Sequence, residues 1–309
     1  MKLISIVSPC YNEQDNVETL YNEVKKQFEL LPQYQYEHIF IDNASTDNTI
    51  KILKQIAEKD KNVKIIINSR NFGHIRSPYY AMLQAKGDAV ISLVSDLQDP
   101  PELIPTLLNK WEEGFKIVVG VKKQSEENFL FFKIRKMYYN LVTKLSEVPL
   151  IKNFTGFGLY DKVVIENLRE IKDNYPYFRG LICEVGFEKA IIEYHQPVRK
   201  RGITKNNFFT LYDIAMLGIT SHSKVPLRLA TMFGFITAFL SLIAAIVYLI
   251  LKIIYWYSMP MGQAPLVIGL FFFSSIQLIF IGIIGEYIGN IHTHIMNRPL
   301  VIEKERINF

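Results

Sequence analysis

A chain of 309 residues has room for one catalytic domain of ordinary size and an appendage. Its formal charge of +5 is too small to mark a nucleic-acid binder, and Cys10 and Cys183 form neither a CxxC nor a Cys/His set, which argues against a disulfide scaffold and a structural zinc. Apolar residues make up 49% of the chain, high for a purely soluble protein, and most of the excess lies after residue 228. A reducing, cytoplasmic setting is expected for the main domain, and Glu13 and Asp15 interrupt the opening segment too early for a signal peptide.

Leu3 to Val7 reads as a buried strand ending at Pro9. Val17, Leu20, Val24, Phe28 and Leu31 then recur at helical spacing, so a helix is expected within residues 12–31. The SPCYNE turn between them can aim amides at an anion and Glu13 at sugar hydroxyls, although taken alone a plain helix cap at Asn12 is the better reading. His38 to Ile41 is a second strand, ended by Asp42, whose carboxylate can accept from a uracil imide or a ribose hydroxyl; Asp47 suits the cap of the next helix, 49–59. Val63 to Asn68 is a third strand, followed by a loop in which Gly73 permits a tight bend beside Arg70, His74 and Arg76.

The fourth strand starts at Ala89 and runs into VSDLQDPPE. Asp96 offers oxygens suited to a hard divalent cation and Gln98 a neutral oxygen from the same loop; the competing reading makes Asp96 or Asp99 the cap of a helix beginning near Pro101. Four strand-then-helix units predict a mostly parallel sheet with right-handed crossovers, its strand ends sharing one crevice. Neither GxGxxG after the first strand nor GxxxxGK[ST] is present, so dinucleotide and P-loop chemistry are not indicated.

Residues 115–121 form another expected strand, and 128–146 a helix that interleaves aromatics with Lys133, Arg135, Lys136 and Lys144, fit for a membrane interface or a core. FTGFGLYDKVV reads as a bent strand and then a helix. Arg179 and Glu184 either approach a sugar or pair with each other. From Arg199 to Arg228 six Lys or Arg stand against Asp213 alone, a composition that suits anionic headgroups, with 208–221 as an amphipathic helix. Leu229–Leu251 and Ile253–Gly285 carry no charge, enough for two membrane spans of about 20 residues each. Lys224 and Arg228 before the pair, and Arg298, Lys304 and Arg306 after it, place both termini in the cytoplasm. His292 and His294 read as interfacial residues. The expected domains are a catalytic domain over 1–198, a basic juxtamembrane segment over 199–228, two transmembrane helices within 229–289 (about 229–255 and 265–287), and a tail over 290–309.

VSPCYNE, FIDNASTDNT, NSRNFG and SDLQDPPEL, in this order, resemble the nucleotide-sugar-binding half of glycosyltransferase family 2, and most of all its polyprenyl-phosphate branch, which includes dolichyl-phosphate mannosyltransferases. That resemblance implies an α/β fold of GT-A type, followed by amphipathic interface helices and a two-helix transmembrane hairpin. It implies Pro9, Tyr11, Glu13, Asp42, Asn43, Arg70, Asn71, Gly73 and Ser95 around the nucleotide sugar, and Asp96 with Gln98 at a Mg²⁺ or Mn²⁺ ion. RKRGITK is similar to the family's Arg-x-x-Gly-x-Ser-Lys, which carries the lipid phosphate over to Arg199, Thr204 and Lys205. Two departures stand out. Asn43-Ala44 replaces the second Asp and the Gly of Asp-Asp-Gly-Ser, and Val94 replaces the first Asp of Asp-x-Asp.

The implied reaction is inverting transfer from UDP-glucose, UDP-galactose or UDP-N-acetylglucosamine to undecaprenyl phosphate at the bacterial cytoplasmic membrane, with Asp96, Arg199 and Lys205 central to it. Membrane lipids are the expected surroundings, nucleic acid is not a partner, and a homo-oligomer, up to a tetramer with the terminal residues as an arm onto a neighbour, is expected. A processive polysaccharide synthase is disfavoured because Trp111 and Trp256 are the only tryptophans and no Gln-x-x-Arg-Trp occurs. A non-catalytic nucleotide-sugar-binding partner has Val94 as its one support.

Overall fold

The computed structural model describes residues 1–123, 150–197, 208–255 and 263–309. The expected helix at 128–146 and the candidate lipid-phosphate residues Arg199, Thr204 and Lys205 lie outside the described residues.

Strands β1 (Lys2–Cys10), β2 (Tyr34–Asp42), β3 (Val63–Asn68) and β4 (Ala89–Ser92) pair in parallel, as their βα rhythm predicts. Each reads as a nearly unbroken apolar run because helices cover both faces, leaving Ile4, Ile6, Val7, Ile39, Phe40 and Ile41 without solvent exposure. Helices α1 (Val17–Glu29), α2 (Thr49–Lys59) and α4 (Ile104–Glu112) carry the apolar stripe onto one face. Helix α3 (Gly73–Gln84) and α5 (Lys162–Ile171) cover the other. Burying a side chain such as Leu20 contributes roughly 1.5–3 kcal/mol. Helix α1 starts later than the spacing suggested, since residues 12–16 form a turn that the next loop holds in place.

The remaining strands make the sheet mixed. β5 (Ile117–Lys122) is parallel to β7 (Lys189–Tyr194), whereas β6 (Phe154–Asp161) runs antiparallel between β5 and β4. With β8 (Glu303–Ile307) at one edge, the order is β7-β5-β6-β4-β1-β2-β3-β8. From β1 the chain steps to β2 and β3 on one side and to β4 on the other, so the switch point lies between β1 and β4. The carboxyl ends of these two strands border the crevice where open α/β sheets bind ligands.

Helix α6 (Phe178–Glu184) precedes β7, and helix α7 (Phe208–His222) follows it. Helices α8 (Val225–Ile254) and α9 (Gln263–Ile295) follow. Both long helices are apolar enough to cross a membrane, and none of their apolar windows is buried within the chain. Tyr212 on α7 donates to Glu286 on α9 at 2.9 Å. The mostly parallel sheet, the helix Phe208–His222 and the apolar helix pair are thus present together.

The tail differs from the arm expected to reach a neighbour. Its residues Glu303–Ile307 form β8, antiparallel to the chain's own β3. Lys54 pairs with Glu305 at 2.6 Å, and Asn308 Nδ2 donates to the carbonyls of Ala57 and Val63 at 2.8 and 2.9 Å. His294 Nε2 lies 3.1 Å from Asp173 Oδ1, and the neighbouring Asn174 donates to Asn297 at 2.8 Å.

Candidate active site

The loops after β1 and β2 are laced to each other. Asn12, at φ 56°, donates its amide N–H to Ser45 Oγ and accepts from the Thr46 amide, both at 2.8 Å. The Glu13 amide donates to Thr49 Oγ1 at 2.9 Å, and Glu13 Oε2 accepts from Asn16 Nδ2 at 2.6 Å. Asn12 therefore joins loops and does not cap α1. Asp47 accepts from the Thr49 amide at 3.0 Å, but the N-cap position of α2 belongs to Asn48, so the capping role expected of Asp47 is not what the structure contains.

Asp42 is fully buried, and Oδ1 accepts the Ser45 amide at 2.8 Å. The Ser45 hydroxyl and, at 3.8 Å, the Cys10 thiol donate to Oδ2. Burial raises the Asp42 carboxyl above its ordinary range, against the lowering effect of the Ser45 bonds. The carboxylate thus faces protein groups, while Tyr11 and Glu13 stay half-buried at the crevice edge.

Asn43 serves the scaffold even more completely. Its Nδ2 donates to Asn71 Oδ1 at 2.9 Å and the Gly73 carbonyl at 3.1 Å, while Oδ1 accepts from Phe72 N at 2.8 Å and Asn68 Nδ2 at 3.1 Å. An amide side chain has two donors and two acceptor lone pairs, so all four are used. Asn71 accepts the Gly73 amide at 2.8 Å, which fixes the entry to α3 with Gly73 at φ 85°. Ala44 sits at φ 63°, where the related motif's Gly fits without strain. Arg70 lies over the Phe72 ring at 4.1 Å, and Arg76 donates to the Pro299 carbonyl, tying the tail down.

The loop after β4 is built differently. Ser95 Oγ donates to the Pro9 carbonyl at 2.9 Å, which joins the two strand ends across the switch point. Asp96 Oδ1 accepts the Gln98 amide at 3.1 Å, and between them Leu97 holds φ 60°, an uncommon conformation for a bulky residue. Asp96 lines a groove of about 340 Å³ with Glu23, Glu102 and His195. Asp99 is buried and accepts from the Tyr194 hydroxyl at 2.8 Å, and burial pushes its carboxyl up to about 6. No side chain caps the 3₁₀ turn Pro101–Leu103 or α4, so the capping alternative for Asp96 and Asp99 is not what the structure contains.

Among the described residues no group of three or more His, Cys, Asp or Glu could hold a metal ion. Asp96 and Gln98 are hard oxygen donors, and a Mg²⁺-like ion held by one or two protein oxygens plus substrate phosphates is the usual arrangement at phosphate-bearing sites. Val94, half-buried, lines a separate cavity of about 170 Å³ with Pro9, His74, Thr155 and Arg179. Only Arg179 of that set was read as approaching a sugar; its alternative partner Glu184 instead lies 3.4 Å from His222. Gly156, at φ 109°, lines the cavity as well, and its place in FTGFG was the available signal.

Residues 5–177 match the family described as Glycosyl transferase family 2. The uncharacterized glycosyltransferase YkcC of Bacillus subtilis (strain 168) is 34% identical over 299 residues, covering 96% of this chain and 92% of that protein. The SfII prophage-derived bactoprenol glucosyl transferase of Shigella flexneri is 34% identical over 303 residues, with 98% of this chain and 97% of that one covered. The prophage bactoprenol glucosyl transferase homolog of Escherichia coli (strain K12) is 34% identical over 302 residues, at 97% and 98% coverage.

Proposed function

This chain belongs to glycosyl transferase family 2 and is a glycosyltransferase, and from that premise we propose that it moves one sugar from a UDP-linked donor to the phosphate of undecaprenyl phosphate. One observation carries the acceptor: the match to the Shigella bactoprenol glucosyl transferase takes in 98% of this chain, and so includes both apolar helices. An acceptor confined to a bilayer requires an enzyme confined there too.

A phosphate monoester has a second pKa of about 6, so it attacks largely ionised and needs little help from a general base. One phosphate oxygen bonds to the anomeric carbon while the bond from that carbon to the diphosphate breaks, which inverts the centre and releases UDP. Asp96 and Gln98 would hold a Mg²⁺ or Mn²⁺ ion together with the donor diphosphate. Such an ion, when bound, neutralises charge on the leaving group. Tyr11 and Glu13 border the nucleotide, while Asp42, Asn43, Asn71 and Gly73 hold the loops around it. Arg199, Thr204 and Lys205 take the lipid phosphate. The task of the protein is then positioning and electrostatic stabilisation.

Residues 1–198 form the catalytic part, 199–228 the basic segment at the headgroups, and 229–289 the hairpin, with Lys224 and Arg228 on the cytoplasmic side of the bacterial membrane. Purified protein given undecaprenyl phosphate and Mg²⁺ or Mn²⁺ should release UDP from one of UDP-glucose, UDP-galactose or UDP-N-acetylglucosamine. Release should require the acceptor and stop with chelator. Folded protein that releases UDP from none of them would sink the reading.

A further inference from the structure

The turn that carries Asp96 is held from two sides. At its start Ser95 Oγ donates to the Pro9 carbonyl at 2.9 Å, and at its end Asp99, only 3% exposed, accepts from the Tyr194 hydroxyl at 2.8 Å. Between these fixed points lie Asp96, Gln98 and the left-handed Leu97 at φ 60°. A bulky residue keeps such a conformation only where its surroundings enforce it. Beyond Asp99 the backbone is stiff as well, since two prolines follow and Pro100 sits at φ −71°.

The second fixed point lies far off in the fold. In the sheet order, β5 and β6 separate β4 from β7, and Tyr194 is the last residue of β7. Its side chain bridges that gap. It passes Gly120 of β5, where an added Cβ would come within 3.1 Å of Tyr194 Cε1, and meets the Phe157 ring of β6 edge-on with centroids 5.3 Å apart. A carboxylate that serves only to close a turn finds its partner locally, as Asp47 does in Thr49 and Asp60 in Asn62. Asp99 instead takes a buried donor from a strand 95 residues away. A buried polar pair of this kind specifies one arrangement, because any shift of the loop leaves both groups without their partner.

What the pair sets is the shape of the groove. Asp96 and Leu97 line it from the turn, and His195 and Pro197, just past Tyr194, line it from the end of β7. Both walls are therefore referred to the same hydrogen bond.

We propose that Asp99 and Tyr194 are positioning residues for the reaction, a tie that holds the Asp96 and Gln98 oxygens in place for a divalent cation although neither of the two touches the ion; this rests on the metal-assisted transfer proposed above. Tyr194→Phe takes away the donor and leaves the carboxylate buried without it. Asp99→Asn keeps a carbonyl oxygen able to accept from Tyr194, so it keeps the tie.

The test uses full-length protein in nanodiscs, with Mn²⁺ titrated at saturating UDP. Electron paramagnetic resonance reads bound Mn²⁺ without turnover, and UDP release from the donor in the presence of acceptor reads the rate. Tyr194→Phe and Asp99→Ala should each raise the Mn²⁺ needed for half-saturation about tenfold and lower kcat, while Asp99→Asn should stay within about threefold. The double variant Asp99→Ala with Tyr194→Phe should be no worse than the weaker-binding single variant, since one bond can be lost only once. Trp111→Phe is the control: it removes a buried donor, 2.7 Å from Asp161, beside the first residue of β4 at the opposite end of the sheet. It should lower the unfolding temperature comparably and leave the Mn²⁺ requirement unchanged. Mn²⁺ binding unaltered in Tyr194→Phe and Asp99→Ala would overturn the tie and leave the metal reading standing. Additive losses in the double variant, or an equal loss in Trp111→Phe, would also overturn it and reduce the pair to general stability. Unaltered protein that binds no Mn²⁺ beside UDP would bring down the metal reading and the tie together.

Discussion

The loops after β2 and β4 occupy equivalent places at the carboxyl edge of one parallel sheet, yet they are finished in opposite ways. The side chains of Asp42 and Asn43 are met within the protein, by Ser45, Asn68, Asn71, Phe72 and Gly73. Around Asp96 a short turn holds a bulky residue at φ 60°, and the carboxylate borders an open groove. The first loop is shaped before any ligand arrives. On the function proposed above, the second is completed by one, a divalent cation shared between Asp96 and the donor diphosphate.

The preformed side rests on His38, which is fully buried, 3.0 Å from Ser8 Oγ and stacked on Phe40. Burial lowers its pKa to about 3. The folded state binds the proton less well than the unfolded state, so this contribution is whole above pH 6.5 and is lost as pH falls toward 3. Acidification from pH 7 to 4 should cost stability on the order of 3 kcal/mol, and His38→Leu should flatten that part of the profile in thermal unfolding. On the other side, Asp96→Ala should lower kcat by about two to three orders of magnitude while UDP still binds. If turnover survived that change, the idea of a loop completed by metal and donor would fail.

Asn43→Ala should separate the two loops most cleanly. It strands the Asn68, Phe72 and Asn71 groups, which should lower stability by about 2–3 kcal/mol and raise the donor KM, with kcat within a few-fold of the original. Val94→Asp is the smallest expected effect on metal use, about a tenfold drop in the Mn²⁺ needed for half-maximal rate.

Much of this was legible in the chain itself. The strands, their parallel pairing and the position of Asp96 follow from apolar runs that end in carboxylates, because a buried parallel strand and its loop leave few alternatives. The two apolar helices follow from length and absence of charge. What sequence reading could not supply was direction. Asn43 and Asp42 are the residue types that touch nucleotides, and only side-chain geometry shows them turned toward Ser45 and Asn71. The pairing of β8 with β3 was also hidden, since EKERI is an edge strand of charged residues with no apolar run to announce it. Arg179 was visible as a candidate, but its neighbourhood with His74 and Val94 depends on the starts of α3 and α6 meeting the loop after β4.

The last strand also changes what kind of object the hairpin is. Because β8 returns to β3 after α9, the hairpin is an insertion between two strands of one sheet and has no free end. A body joined by one stalk can swivel against it; a sheet attached to its helix pair at two points, at α7 on one flank and at β8 on the other, loses that freedom.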